Sequence, residues 1–294
     1  MQRYRCQHCG KAFQSHRQHD RKRRTLWNAY IWGRQSIAQL ATTEGRSHIW
    51  IKQQLDMARP APRVLVPRPT VIVADTTFWG RAYGVTAFRS PSLKQNLWWR
   101  ETVEETPSVY AEGYASLRQQ GWTISAAVID GKPGIRRIFQ DIPVQICQFH
   151  QMKTVTKYLT RRPETIAGAE LRRLTLTLAR TTEPVFTESL LSWYDRHRAF
   201  LDQHTFCPWC SRKHYTHRRL RSAYRSLVLN LPYLFIYQRY PELMIPNTTN
   251  CLDGMFSQIK NRLAVHRGLR RDRRFKLISE ILSGRPKSDT KTFL

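Results

Sequence analysis

The chain has 294 residues, 41% of them hydrophobic, enough for one large domain with one or two small ones around a real core. Lys and Arg number 49 against 21 Asp and Glu, a formal charge of +28 that no ordinary metabolic enzyme needs. The natural partner is a polyanion, nucleic acid first; a membrane surface ranks below it because the basic residues are spread along the chain, and no stretch is long and apolar enough to span a bilayer.

No apolar signal region follows the first charges, which points to a cytoplasmic protein, so the six cysteines are expected as thiols or metal ligands. Cys6-Gln7-His8-Cys9, followed by Gly10-Lys11, is the C-x2-C turn of a zinc knuckle, in which the backbone turns both sulfurs toward one ion. Tetrahedral Zn²⁺ needs two more ligands. His16 and His19 follow at a spacing that could supply them; the other reading is a half-ribbon lacking an upstream cysteine pair.

A basic cluster, Arg17–Arg24, comes next. Ile37, Leu40 and Ala41 form a helical stripe, Gly45 breaks it, and Ser47 can cap a second helix with Ile49, Trp50 and Leu55 as its apolar positions. This is a helix-turn-helix pattern over 25–58. Arg46, Ser47 and His48 would stand at the start of the recognition helix with Lys52 one turn on. A plain helical hairpin packed on the main domain is the alternative, and the basic cluster favours DNA. Pro60, Pro62, Pro67 and Pro69 mark a stiff linker over 59–70.

Val71-Ile72-Val73-Ala74 runs straight into Asp75 and reads as a buried strand with a carboxylate at its open end. Such a carboxylate is costly unless paired. It is a catalytic or metal-binding group, or the aspartate that ends a strand and begins a turn. Tyr83–Phe88 and Leu97–Arg100 read as further strands and Val109–Gln119 as a helix. Trp122–Ile129 repeats the theme, an apolar strand ending in Asp130, so two strands deliver carboxylates that would converge in neighbouring positions. Val144–Ile146 leads into Cys147-Gln148-Phe149-His150, where C-x2-H could be half of a zinc site with no matching half nearby.

From Thr154 to about Gln238 the pattern is mostly helical. Arg218, Arg221 and Arg225 share one helical face opposite Leu220, Ala223, Tyr224 and Leu227; the face is a solvated surface or a phosphate track. Cys207 and Cys210 form a second C-x2-C near His204, His214 and His217, either a Zn²⁺-stapled loop or two unrelated thiols. A helix is expected from Asn250. Asp253 then reads as a capping-box acid or as a group facing a site, with Ser257 and Lys260 one and two turns further along the same face. Arg262, Arg267, Arg270, Arg271, Arg273 and Arg274 extend the basic character, and residues 284–294 are expected to be disordered.

Taken together, Asp75, Asp130, Cys147-x-x-His150, the helical stretch and Asn247-Thr248-Thr249-Asn250-x-x-Asp253-Gly254 resemble the Mutator-type bacterial insertion-sequence transposases. The front end, with Tyr215-Thr216-His217-Arg218-Arg219-Leu220 and Asn230-Leu231-Pro232-Tyr233-Leu234-Phe235, resembles that group's zinc-binding variant. The resemblance covers nearly the whole chain. It implies an α/β, ribonuclease-H-like catalytic domain over 71–283, with an all-helical insertion at about 154–246, behind a zinc-knuckle and helix-turn-helix region. It maps an acidic triad onto Asp75, Asp130 and Asp253, holding two Mg²⁺ (or Mn²⁺) ions, with Cys147, His150 and Lys260 beside the site. Arg262 and Arg267 join the helix-turn-helix and insertion arginines as DNA contacts. The expected partners are double-stranded DNA, as element terminal inverted repeats and target, and a second copy of the chain in the DNA complex, in the bacterial nucleoid. The family pattern has Glu where this chain has Asp253, so the shorter side chain must reach the metal from a closer helix or through a water. An inactive DNA-binding protein and a metal-dependent nuclease without strand transfer are the other readings.

Overall fold

In the computed structural model, the structure describes residues 4–13, 18–59, 65–207, 209, 211–266 and 268–284. His16, Cys210, Arg267 and residues 285–294 lie outside them, as do the side chains of His19 and Cys207. The chain divides into two compact units, Met1–Leu65 with Met255–Leu294, and Val66–Gly254.

In the first unit, strands β1 (Tyr4–Arg5) and β2 (Ala12–Phe13) pair across the Cys6–Gly10 turn. Helices α1 (Gln18–Ile31), α2 (Ile37–Glu44) and α3 (His48–Met57) follow. The basic cluster from Arg21 on is thus part of α1. Ser36 and Gln39 exchange side-chain and backbone bonds at the start of α2, Gly45 closes it at φ 59°, and Ser47 accepts from the Trp50 N–H to start α3. The boundaries of α2 and α3 therefore follow from local capping. One inward residue differs from expectation: Ile49 is 69% exposed, whereas Ile51 is buried with Leu55, its neighbour one turn on.

The second unit is built on a five-stranded sheet in the order β5-β4-β3-β6-β7. Strands β3 (Thr70–Phe78), β4 (Gly84–Ser90) and β5 (Gln95–Thr102) form an antiparallel meander. After α4 (Pro107–Gln119), β6 (Ile124–Ile129) and β7 (Val144–Ile146) add in parallel to the other edge of β3. The sheet is mixed, and its central strands are nearly continuous apolar runs buried on both faces. Gly113 lets α4 approach closely, since a Cβ there would meet Trp98 and Phe88 at 2.8–2.9 Å.

Beyond the sheet come α5 (Gln148–Leu159), α6 (Ile166–Thr175), α7 (Glu183–Leu201), α8 (Arg218–Leu234) and α9 (Ile236–Arg239). They enclose a separate core of Val155, Leu171, Phe186, Trp193, Leu227 and Phe235. The segment is not all-helical as expected. The strands β8 (His204–Cys207) and β9 (Arg212–Tyr215) pair antiparallel between α7 and α8, where Thr205, Phe206 and Tyr215 favour extended backbone. A second difference concerns β3. It does not end at Asp75, because its antiparallel partner carries the pairing on from Asp75 opposite Ala87 to Phe78 opposite Gly84.

Helix α10 (Asn250–Leu263) begins at the expected residue, and the boundary between the units falls within it. Residues from Met255 onward therefore group with the N-terminal helices. There α11 (Arg271–Ser283) is tied to α3. Arg273 donates Nε and Nη2 to the Asp56 carboxylate at 2.8 and 2.7 Å. Lys276 Nζ donates to the carbonyls of Leu55 and Asp56 and lies 4.5 Å from the Trp27 ring.

Trp193 locks the helical core: its indole N–H donates to the Ala167 carbonyl at 3.0 Å, and its ring packs on Tyr224 and His197. Trp193→Ala should destabilise the second unit by about 3–5 kcal/mol, read from urea unfolding. A loss below 1 kcal/mol would show that this core does not hold the helices together.

Candidate metal centre

The sheet register assembles the site. Val73 lies opposite Val128 on the parallel strand, so two residues on along each strand Asp75 and Asp130 stand side by side. Ile146 lies opposite Ile129, and the Cys147 N–H donates to the Ile129 carbonyl at 2.8 Å, which brings Cys147 to the same edge. Helix α5 starts there and places His150 on its first turn.

The final acid arrives through a docking of two short motifs. The Gln148 N–H donates to the Asn247 carbonyl at 3.0 Å, and Asn247 Nδ2 donates to Gln148 Oε1 at 3.0 Å. Thr249 then fixes the start of α10. Its N–H and hydroxyl lie 3.3 and 3.4 Å from Cys147 Sγ, and its carbonyl accepts the Asp253 N–H. Its Oγ1 also lies 3.4 Å from both His150 Nδ1 and Asp253 Oδ2; the single hydroxyl hydrogen serves one acceptor at a time. One ligand atom each from Asp75, His150 and Asp253 fall within 4.8 Å of one another. Asp130 stands just outside that group but is close enough to act electrostatically on Asp75 and His150.

Burial pushes the Asp75 carboxyl up to about 7, and the charges of Asp253 and Asp130 push the same way, against His150 and the Thr76 N–H. Asp130 is also raised, by burial and then by Glu105, with the Lys132 N–H at 2.9 Å opposing. His150 is raised to about 9, first by its bond to the Cys147 sulfur and then, against burial, by the charges of Cys147, Asp75 and Asp130. Burial resists ionisation of Cys147, but its hydrogen bonds from His150 and Thr249 outweigh that and lower its pKa. Converging buried carboxylates that resist ionisation fit a bound cation. Oxygen donors suit Mg²⁺ or Mn²⁺, and the imidazole nitrogen admits other divalent transition ions.

A second network supports the site. Thr76 Oγ1 lies 2.8 Å from Thr86 Oγ1 and 3.2 Å from the Tyr110 hydroxyl, which donates to Glu105 at 2.6 Å. Lys132 Nζ contacts the Glu105 carboxylate and carbonyl. Sequence reasoning missed Glu105, Tyr110 and Thr249 as site residues. Thr249 sits in the Asn-Thr-Thr-Asn block just ahead of the expected helix; Glu105 lies in a loop with no periodic signal.

Beside Asp130 and His150 opens a cleft of about 570 Å³ between α5 and α8, lined by the cations Lys132, Lys153, Lys157 and Arg225. Of the expected basic face on α8, Arg225 enters this cleft and Arg218 is exposed. Arg221 instead binds Asp202 at 2.7 Å and the Leu201 carbonyl, over the Tyr215 ring at 3.6 Å.

In the first unit Arg46, Ser47, His48 and Lys52 are exposed at the start of α3. Lys260 is exposed on α10, and the Arg262 guanidinium lies 5.1 Å from the Trp32 ring. Cys6 and Cys9 are free thiols, and the Cys6 pKa is lowered first by the Cys9 and His8 backbone N–H groups. His204 packs on Tyr215 and His217 on Phe200. Among the described residues no helix is long and apolar enough to cross a membrane.

The raised Asp75 pKa gives a signed pH dependence. Its folded value, about 7, exceeds the ordinary 3.8, so the stability it contributes is complete below 3.8 and is lost as pH rises through about 7. In the presence of a chelator, the native Tm should fall relative to Asp75→Asn across that interval. Excess Mg²⁺ or Mn²⁺ should recover the loss at the alkaline end. A Tm difference that is constant with pH would contradict the burial of an uncompensated charge at this position.

No protein-family profile matches this chain, and no curated protein matches it.

Proposed function

We propose that the chain is a DNA transposase that cuts the ends of its insertion sequence and joins them to target DNA. The observation that carries this reading is the convergence of Asp75, His150 and Asp253 within 4.8 Å, beside Asp130, in a chain of charge +28. The ribonuclease-H-like reading is supported by the mixed sheet, an aspartate on β3 and another directly after the adjacent β6, and a late helix that supplies the third. The β1–β2 pair around Cys6 and Cys9 supports the zinc-knuckle reading of the arm. The exposed start of α3 supports the helix-turn-helix reading.

Asp75, Asp130 and Asp253, with His150, would hold one or two divalent ions, which when bound supply acidification of an attacking hydroxyl and compensation of charge on a leaving oxygen. Lys132, Lys153, Lys157 and Arg225 would grip phosphates flanking the cut. Glu105 restrains Lys132 and so fixes the loop after Asp130. Cys147 and Thr249 orient His150 and α10. In the first step a water oxygen bonds to phosphorus as the bond to the element's 3′-oxygen breaks, freeing a 3′-hydroxyl. In the second that hydroxyl displaces an oxygen at a target phosphodiester. The proposed setting is a homodimer or higher assembly on paired ends, in the bacterial nucleoid.

The test uses a labelled duplex bearing the element end, with Mg²⁺ or Mn²⁺, scored for cleavage and for joining. Asp75→Asn and Asp130→Asn should abolish cleavage and leave DNA binding. Asp253→Asn should lower turnover by orders of magnitude at unchanged Tm, because a helix cap, worth about 1 kcal/mol, tolerates Asn whereas a metal ligand does not. Asp253→Glu should keep measurable activity. Cleavage without joining would favour a nuclease. Binding without cleavage by the native chain would favour an inactive DNA-binding protein, and full activity of Asp253→Asn would sink the third ligand.

A further inference from the structure

The exposed side of α3 includes Ile49, a residue whose apolar character would place it inward. His48, Ile49, Lys52 and Gln53 are spaced so that they share one helical face, and all four are exposed, Ile49 at 69%. An exposed isoleucine between cations, on a helix whose other face is fully buried at Ile51 and Leu55, has no packing role within the described residues. The same four residues form one wall of a groove of about 420 Å³. The opposite wall comes from the other end of the chain, the turn Gly268–Arg270 that leads into α11.

The charge of this groove is lopsided. Lys52 and Arg270 are exposed cations on its two walls, and Asp56 is the one acid lining it. That acid is neutralised by the two-pronged Arg273 contact, while Lys276 holds the last carbonyls of α3. The clasp fixes the distance between α3 and the turn carrying Arg270. The net field then favours an anion along the groove, and the face of α3 offers chemistry suited to base edges. Gln53 can pair with adenine, Lys52 with guanine, and Ile49 can pack on a thymine methyl.

We infer that α3 and the Gly268–Arg270 turn form one composite DNA-reading surface, in which His48, Ile49, Lys52 and Gln53 meet bases in the major groove and Arg270 grips the adjoining phosphate. The occupant is duplex DNA. Asp56, Arg273 and Lys276 are positioning residues that hold the two walls in register. This deepens, and rests on, the reading of the chain as a sequence-specific DNA-binding protein.

The full-length chain is used to enrich a library of randomised duplexes, and the enriched duplex and an unselected one are the probes for fluorescence anisotropy across a salt series. Arg270→Gln should weaken both probes alike and lower the slope of log K against log salt by about 1. Gln53→Ala and Ile49→Ala should weaken the enriched probe about tenfold and leave the unselected one unchanged. All three positions are exposed, so each variant is expected to fold, and unchanged Tm confirms it. Enrichment of no duplex by the native chain overturns the DNA-recognition reading and this inference with it. An enriched duplex that Arg270→Gln binds with native affinity and salt slope overturns the composite surface alone, as does undiminished discrimination by Gln53→Ala and Ile49→Ala together.

Discussion

The site depends on one electrostatic constraint: carboxylates from separate elements are brought together where water is scarce. Asp75 is nearly buried on a central strand, with Asp130 level with it and Asp253 arriving from α10. Burial, and then the charges of Asp253 and Asp130, disfavour the ionised form of Asp75, while burial and Glu105 disfavour that of Asp130. Such a cluster destabilises the fold unless positive charge compensates it. Within the described residues the nearest compensation is His150, whose imidazolium is itself held by the Cys147 sulfur. The imidazolium and a divalent ion are therefore alternatives for balancing the same acids.

The scaffold is arranged to hold that cluster against its own repulsion. Parallel pairing of β3 with β6 and β6 with β7 sets three chain positions at one sheet edge. The Asn247–Gln148 and Thr249–Cys147 bonds then fasten the start of α10 to the start of α5. Both helices present their first turns there, and these carry His150 and Asp253 to the cluster. The helical layer, with its own core around Trp193, supplies α8 and the basic wall of the neighbouring cleft.

Much of this was legible in the residues because local signals set it. The apolar run before Asp75, the repeat before Asp130, the caps at Ser36 and Ser47 and the helix start at Asn250 each announce themselves over a few residues. Where local pattern failed, a distant partner decided. Asp75 sits inside a strand because β4 continues the pairing, which no feature of residues 71–79 reveals. Ile51 rather than Ile49 turns inward because of what packs on α3. The β8–β9 pair interrupts a stretch whose composition reads as helical. Glu105 joins the site through Tyr110 and Lys132, contacts that only the folded sheet creates. Arg221 looked like a phosphate contact on the helical wheel, yet Asp202 claims it from the end of α7.

The bond between Asp56 and Arg273 joins residues 217 positions apart. During synthesis the three N-terminal helices leave the ribosome first, yet the helix that clasps them is made near the end. A nascent chain therefore carries Asp75 on β3 and Asp130 just past β6 for a long interval before either Asp253 or α11 exists. Chains interrupted before residue 250 lack both the third acid and the clasp. A chain cut between Gly254 and Arg270 instead keeps the carboxylate and loses only the tie on α3.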